Sequence, residues 1–242
     1  MGPESHGAME AGHQYVYMPN TSALVDGQGS FEMAYSQFRN LHEVANRFEL
    51  ELQTQERLFA DGPEVAPSHR LTEDLEDKAP LALQIDTEKA RSEMMITPVL
   101  VELVRLHRPR ISLFSGTEFN VDPERDLNGF CDFLISGSSN QRILTRPLVV
   151  IVEAKAGMIS SGLPQCLAEM VAAQIFNAAG NGFDQPVYGG VTTGTNWQFI
   201  KLHRQIAWID RDEYYLDNLP KLLGILSSMV MAVESSHTRL KS

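Results

Sequence analysis

The chain is poor in cysteine: Cys131 and Cys166 are the only two in 242 residues. Two thiols are too few for a disulfide framework, and their spacing matches no zinc motif. A reducing cytoplasm is therefore the expected compartment. Long apolar runs are also missing. Leu148 to Val152 is short, and Leu222 to Val233 is broken by Gly224, Ser227 and Ser228, whereas a membrane-spanning helix needs about 20 apolar residues. The opening Met-Gly-Pro-Glu-Ser-His has neither a basic region nor an apolar core, so no secretory signal is expected. Internal repeats are absent. So are the phosphate loop of nucleotide hydrolases, His-Glu-x-x-His, Gly-x-Ser-x-Gly and the dinucleotide fingerprint. The seven histidines are scattered.

Positive charge is in deficit, with 20 Lys and Arg against 31 Asp and Glu, a net charge of −11. Residues 1–80 hold 14 acids and 5 bases, so that stretch is −9 and residues 81–242 are −2. The acidity is N-terminal. Overall charge argues against tight non-specific DNA binding, while the near-neutral body can still carry a local basic surface.

Hydrophobic residues at 43% and charged residues at 21% sit near globular averages and allow a sizeable core. Residues 1–30, rich in Gly, Ser, Pro, Asn and His, read as a disordered leader. Residues 31–85 read as an N-terminal helical segment: apolar residues recur at helical spacing from Phe31, with a helix expected over Phe31–Phe59 and a second over Leu71–Ile85 interrupted near Pro80. Residues 86–242 read as an α/β core. A helix is expected over Thr87–Leu106, capped by Thr87, with a kink or later start at Pro98. Strands follow at Ile111–Phe119, Phe130–Ile135 and Leu148–Val152, the last apolar at every position and hence covered on both faces. A helix over Pro164–Asn177, strands at Pro186–Thr193, Trp197–Leu202 and Ile206–Ile209, and a helix over Leu219–Val233 complete an α/β sandwich with a mixed sheet.

Chemistry concentrates in Asn128-Gly129-Phe130-Cys131-Asp132-Phe133-Leu134-Ile135 and Leu148-Val149-Val150-Ile151-Val152-Glu153-Ala154-Lys155. Charge at the end of an apolar strand is costly unless paired or solvated. Residues two apart on a strand share a face, so Glu153 and Lys155 point the same way. Asp132, on an adjacent strand, can bring a second carboxylate to the same place. Two converging carboxylates repel unless a cation lies between them, and oxygen-only ligands favour Mg²⁺ or Mn²⁺. Such an ion polarises a phosphoryl oxygen and activates water, and Lys155 can orient that water or stabilise charge developing on phosphate. Taken alone, Glu-x-Lys at a strand end is a surface ion pair far more often than a site. The apolar strand before it, the Asp about 20 residues upstream and Gln165 on the next helix raise its weight.

With these residues the chain resembles the PD-(D/E)xK nuclease superfamily, the restriction-endonuclease-like fold, and is similar to bacterial members of it. The pattern is Thr87-Glu88-Lys89-Ala90-Arg91-Ser92-Glu93, Glu153-Ala154-Lys155, Gly162-Leu163-Pro164-Gln165-Cys166-Leu167-Ala168-Glu169-Met170 and Gly190-Val191-Thr192-Thr193-Gly194-Thr195, over roughly residues 40–235. The resemblance implies a mixed central sheet flanked by helices, a metal held by Asp132 and Glu153, Lys155 as the catalytic lysine, and Gln165 as an accessory glutamine. A glutamate of the first core helix joins them in the family. Glu88 and Glu93, roughly 140° apart on a helical wheel, border the apolar stripe on opposite sides, so periodicity leaves both open; the Glu-x-x-Arg pattern favours Glu88. Cys131 stands where the strict pattern has proline. Gln165 and Glu169 share a helix face, and Glu169 is more readily a surface residue. The acidic loop of Glu118, Asp122, Glu124 and Asp126 reads as a solvated turn, and Thr192-Thr193-Gly194-Thr195 as a hairpin turn.

The expected function is a Mg²⁺- or Mn²⁺-dependent nuclease acting on DNA, in restriction or DNA processing, with a second copy or a partner subunit left to supply specificity. The alternative is a non-catalytic binding or regulatory protein on the same fold with a vestigial metal site.

Overall fold

A computed structural model describes residues 34–180 and 184–239. The expected leader, residues 1–30, lies outside the described residues. Seven strands form one mixed sheet: β1 Glu51–Gln55, β2 Ser112–Glu118, β3 Phe130–Ser136, β4 Leu148–Ala154, β5 Val187–Thr192, β6 Asn196–His203 and β7 Ile206–Tyr215. Their order across the sheet is β1-β7-β6-β5-β4-β3-β2. The pairs β1/β7 and β4/β5 are parallel and the other four are antiparallel. The helices are α1 Leu41–Phe48, α2 His69–Ile85, α3 Glu88–Arg91, α4 Thr97–His107, α5 Leu163–Ala178 and α6 Leu219–Arg239.

The sheet is buried on both faces. One core gathers Val99, Leu100 and Leu103 of α4 and Leu222 and Leu226 of α6 against Val150, Val152 and Phe199. The other gathers Val44 and Phe48 of α1 and Leu167, Met170 and Val171 of α5 against Ile151, Val191 and Ile200. Every residue of β4 is buried, which is why that strand is apolar throughout. Among the described residues, no helix is long and apolar enough to cross a membrane.

Two expected helices are corrected. Of the helix expected over Phe31–Phe59, only Leu41–Phe48 is α-helical among the described residues: Ala34–Gln37 is a short 3-10 turn, Glu49 ends α1 in a left-handed conformation, and Glu51–Gln55 becomes an edge strand on β7. The helix expected to break near Pro80 runs unbroken from His69 to Ile85. Thr87 caps α3, its hydroxyl accepting from the Ala90 N–H at 3.1 Å. The irregularity expected at Pro98 falls just before it, as a π-turn over Ser92–Ile96 that joins α3 to α4.

Candidate active site

The site forms where two strands separate. The β3–β4 ladder runs from Ser136↔Leu148 to Phe133↔Val152 and stops. Beyond it β4 stays paired with β5, through Glu153↔Val191 and Ala154↔Thr192. The Ala154 N–H is taken by Asp132 Oδ2 at 2.8 Å, so a side chain of β3 replaces its backbone as the partner. This bond fixes the Asp132 carboxylate against the end of β4.

Strand alternation sends Val152 and Ala154 to the α4–α6 face and Glu153 and Lys155 to the α5 face, where Gln165 waits on the first turns of α5. Lys155 Nζ donates to Glu153 Oε1 at 2.5 Å and to Gln165 Oε1 at 3.3 Å. Gln165 Nε2 donates to Glu169 Oε1 at 3.1 Å. Glu153, Lys155, Gln165 and Glu169 thus form one continuous hydrogen-bonded row. Glu169, expected to be more readily a surface residue, is fully buried. Its Oε2 and that of Glu153 are buried without a hydrogen-bond partner among the described residues.

Burial, and then the neighbouring Asp132 charge, push the Glu153 carboxyl up to about 8, with Lys155 pulling the other way. Burial opposes the charge on Lys155, but the carboxylates of Glu153, Glu88 and Asp132 outweigh it and hold the ammonium above its usual range. Burial and repulsion from Glu153 raise Glu169 well above the carboxylate range. Tyr35 also sits here: its hydroxyl donates to the Phe119 carbonyl at 2.9 Å, and burial, with Cys131 and Glu169 nearby, raises it far above a phenol's ordinary value.

Of the two candidate glutamates, Glu88 acts electrostatically on both Glu153 and Lys155. Glu93 instead pairs with Lys89 at 3.0 Å and lines a cleft with Arg70, Asp74 and Lys78 between α2 and α4. Asp132, Glu153, Lys155 and Gln165 therefore come together with Glu88 within electrostatic reach, and Glu93 faces elsewhere. Arg91 fastens α3 to the β5–β6 turn, donating to the Thr193 carbonyl at 2.9 Å and to Asp86 at 2.8 Å. Neither Tyr35 nor Arg91 stands out by itself in the sequence. The Glu-x-x-Arg spacing signalled Arg91, whereas nothing local pointed to Tyr35.

The donors available to a metal are the Asp132 and Glu153 carboxylates, oxygen only. Among the described residues, no three His, Cys, Asp or Glu side chains gather in an arrangement that holds a metal. Mg²⁺ keeps several waters and is commonly held by one or two carboxylates together with substrate phosphate, so the chemistry of this pair suits such an ion. Comparison of the chain with protein-family models and with curated proteins finds no match to either.

Proposed function

We propose that the chain is a Mg²⁺- or Mn²⁺-dependent nuclease on a restriction-endonuclease-like fold, hydrolysing the phosphodiester bonds of DNA in the cytoplasm. One observation carries the reading: at the parting of β3 and β4, the Asp132 carboxylate is fixed on the Ala154 N–H beside a buried Glu153 whose neighbour on the same strand face is Lys155. DNA, and a role in restriction or DNA processing, come from the resemblance of Glu153-Ala154-Lys155 and its flanking motifs to the PD-(D/E)xK nucleases.

Asp132 and Glu153 would hold the cation, which when bound polarises phosphate and activates water. Lys155 has a third N–H beyond those given to Glu153 and Gln165, and this donor can meet the attacking water or a phosphoryl oxygen. Gln165 holds the ammonium in place from the other side. Glu88 adds a smaller contribution to the field of Glu153 that favours the Lys155 charge against burial. A binding or regulatory role on the same fold is favoured by one feature: among the described residues, no three His, Cys, Asp or Glu side chains are arranged to hold a metal.

The deciding experiment incubates the protein with single- and double-stranded DNA and RNA in Mg²⁺ or Mn²⁺, with an EDTA control and Lys155→Ala alongside. Wild type should cut DNA only with metal, and Lys155→Ala should lose at least ~10²-fold, the usual scale for a positioned catalytic group. No cleavage of any substrate would favour the binding role. Cleavage by Lys155→Ala at the wild-type rate would move the active site elsewhere.

A further inference from the structure

The loop leaving β4 after Lys155 forms one wall of a cavity of about 470 Å³, within the roughly 300–1,000 Å³ of small-molecule sites. Ala156, Gly157 and Ser160 belong to that wall, and Thr195, Asn196 and Glu213 face them from the β5–β6 turn, β6 and β7. The cavity lies beyond the carboxyl ends of the parallel pair β4 and β5, where open α/β sheets receive ligands. The backbone ties it to the site, because the Lys155 N–H donates to the Thr192 carbonyl at 2.8 Å.

The cavity's chemistry is polar but close to neutral. Its two charged residues, Arg91 and Glu213, are both engaged. Arg91 is held by Thr193 and Asp86, and Glu213 accepts from Asn196 Nδ2 at 2.6 Å. A phosphate placed here would meet the Glu213 carboxylate, with both terminal nitrogens of Arg91 already bonded and its Nε buried without a partner among the described residues. Thr193 and Thr195 bond to each other and to Asn196 Oδ1, and Gln198 Nε2 donates to the Asp210 carbonyl. The capacity beyond these bonds, at the Ser160 hydroxyl, the second N–H of Asn196 Nδ2, Gln198 Oε1 and the remaining lone pair of Thr195 Oγ1, suits a neutral group with donors and acceptors. Met158, on the same wall, is 76% exposed, and its polarizable thioether offers apolar surface that a flat ring can cover.

We propose that this cavity receives the nucleoside next to the phosphate attacked at Asp132, Glu153 and Lys155, with Thr195 and Asn196 among the groups that read its base. The inference takes its ligand class from the nuclease reading above, while the cavity and its chemistry stand apart from it.

Nucleotide titrations followed by ¹H–¹⁵N NMR in EDTA test the proposal without relying on cleavage. The probes are the four 2′-deoxynucleoside 5′-monophosphates and the base-free 2-deoxyribose 5-phosphate, at millimolar concentration. At least one nucleotide should shift amides of residues 156–160 and 193–198, and the base-free probe should bind at least ~10-fold more weakly. Ser160 is exposed, so Ser160→Trp can block the cavity without entering the core, and it should weaken binding ~10-fold or more. Thr195→Val, close to isosteric, should weaken it less and change the ranking of the four bases. Absence of shifts at these amides overturns the proposal, as does equal binding of the base-free probe. So does full binding by Ser160→Trp with an unchanged melting temperature. Cleavage of DNA without nucleotide binding would remove the cavity's role and leave the nuclease; binding without cleavage of any substrate would do the reverse.

Discussion

Glu153 meets two opposed demands, burial and charge. Its carboxyl titrates near 8 in the folded chain against an ordinary 4.5. The folded state therefore holds that proton more tightly than the unfolded state does. Between those two values the folded chain has more protons bound, and stability falls as pH rises through the window. Glu169 acts in the same direction. The metal-free protein should lose several degrees of melting temperature between pH 5 and 8, and Glu153→Gln should flatten, without abolishing, that slope. Thermal melts across pH in EDTA check this; a slope unchanged by Glu153→Gln would mean that Glu153 titrates normally. The positions of Asp132, Glu153 and Lys155 were legible because strand alternation is a rigid rule: residues two apart share a face whatever surrounds them. Periodicity could not choose between Glu88 and Glu93, and only the Glu-x-x-Arg pattern favoured Glu88. A wheel assumes constant helical pitch, and the π-turn at Ser92–Ile96 winds more residues into a turn and shifts the phase between the two glutamates. The burial of Glu169 was missed for another reason. Apolar residues surround nearly the whole of α5, so no face of that helix is marked as solvent by its sequence.

At the scale of elements, the strand β1 was illegible because Glu51-Leu52-Gln53-Thr54-Gln55 is a polar edge with no buried residue, and because Glu49 ends α1 in a left-handed conformation with no glycine to announce it. Pro80 misled in the other direction. Proline in a helix interior costs about 3 kcal/mol relative to alanine, so an interruption was the natural expectation. Pro80 lies on the exposed side of α2, where water can meet the carbonyl left without its donor, and the packing of Leu71, Leu75 and Ala82 carries the helix through. Pro80→Ala should therefore stabilise the protein by roughly 1–3 kcal/mol, the proline's cost less its restriction of the unfolded chain. A thermal melt should show a rise of several degrees, and a fall would mean that the ring packs against something that matters. Gly224 in α6 predicts the opposite sign for a substitution that helix propensity favours. A Cβ there would lie 1.7 Å from the Pro63 carbonyl oxygen, on backbone held to α6 by the Val65 N–H on the Pro220 carbonyl at 2.9 Å and by Lys221 Nζ on the Gly62 carbonyl at 2.9 Å. Gly224→Ala should cost about 2–3 kcal/mol, as overpacking does, and more if the strap detaches. Gly189→Ala meets side-chain sulfurs, Met170 Sδ and Cys166 Sγ, of which the Met170 thioether can swing aside, so it should cost less. Chemical denaturation of both variants tests that ranking.

The whole molecule places its carboxylates by topology. The α/β sandwich with a mixed sheet was legible from the order of elements, but the strand order was not: which neighbour each strand takes is decided by long-range pairing and leaves no local pattern. The site depends on that order, because β4 lies between β5, which continues beside it to Ala154↔Thr192, and β3, which leaves it at Phe133↔Val152. A molecule that gathers Asp132 and Glu153 in this gap retains their repulsion when no cation is bound, and that repulsion adds to the burial that raises the Glu153 carboxyl. Asp132→Asn removes one of the two charges at nearly constant shape, and the amide oxygen can still accept from the Ala154 N–H. Metal-free stability should therefore stay level or rise by about 1 kcal/mol, the usual size of a close-range electrostatic shift. A cation that binds only the folded state stabilises it by mass action. Millimolar Mn²⁺ should accordingly raise the melting temperature of wild type and leave Asp132→Asn where it was. The gain should grow from pH 6 to pH 8, because Glu153 must lose its proton to bind. The measurement is a thermal melt of both proteins with and without Mn²⁺ at fixed ionic strength, repeated with a short DNA duplex whose phosphates can complete the ion's shell. If Asp132→Asn keeps the full metal-dependent shift, or wild type shows none even with duplex present, Asp132 and Glu153 are not the ligands. The row from Lys155 to Glu169 would then be a buried structural network, stabilised by its own hydrogen bonds and idle in catalysis.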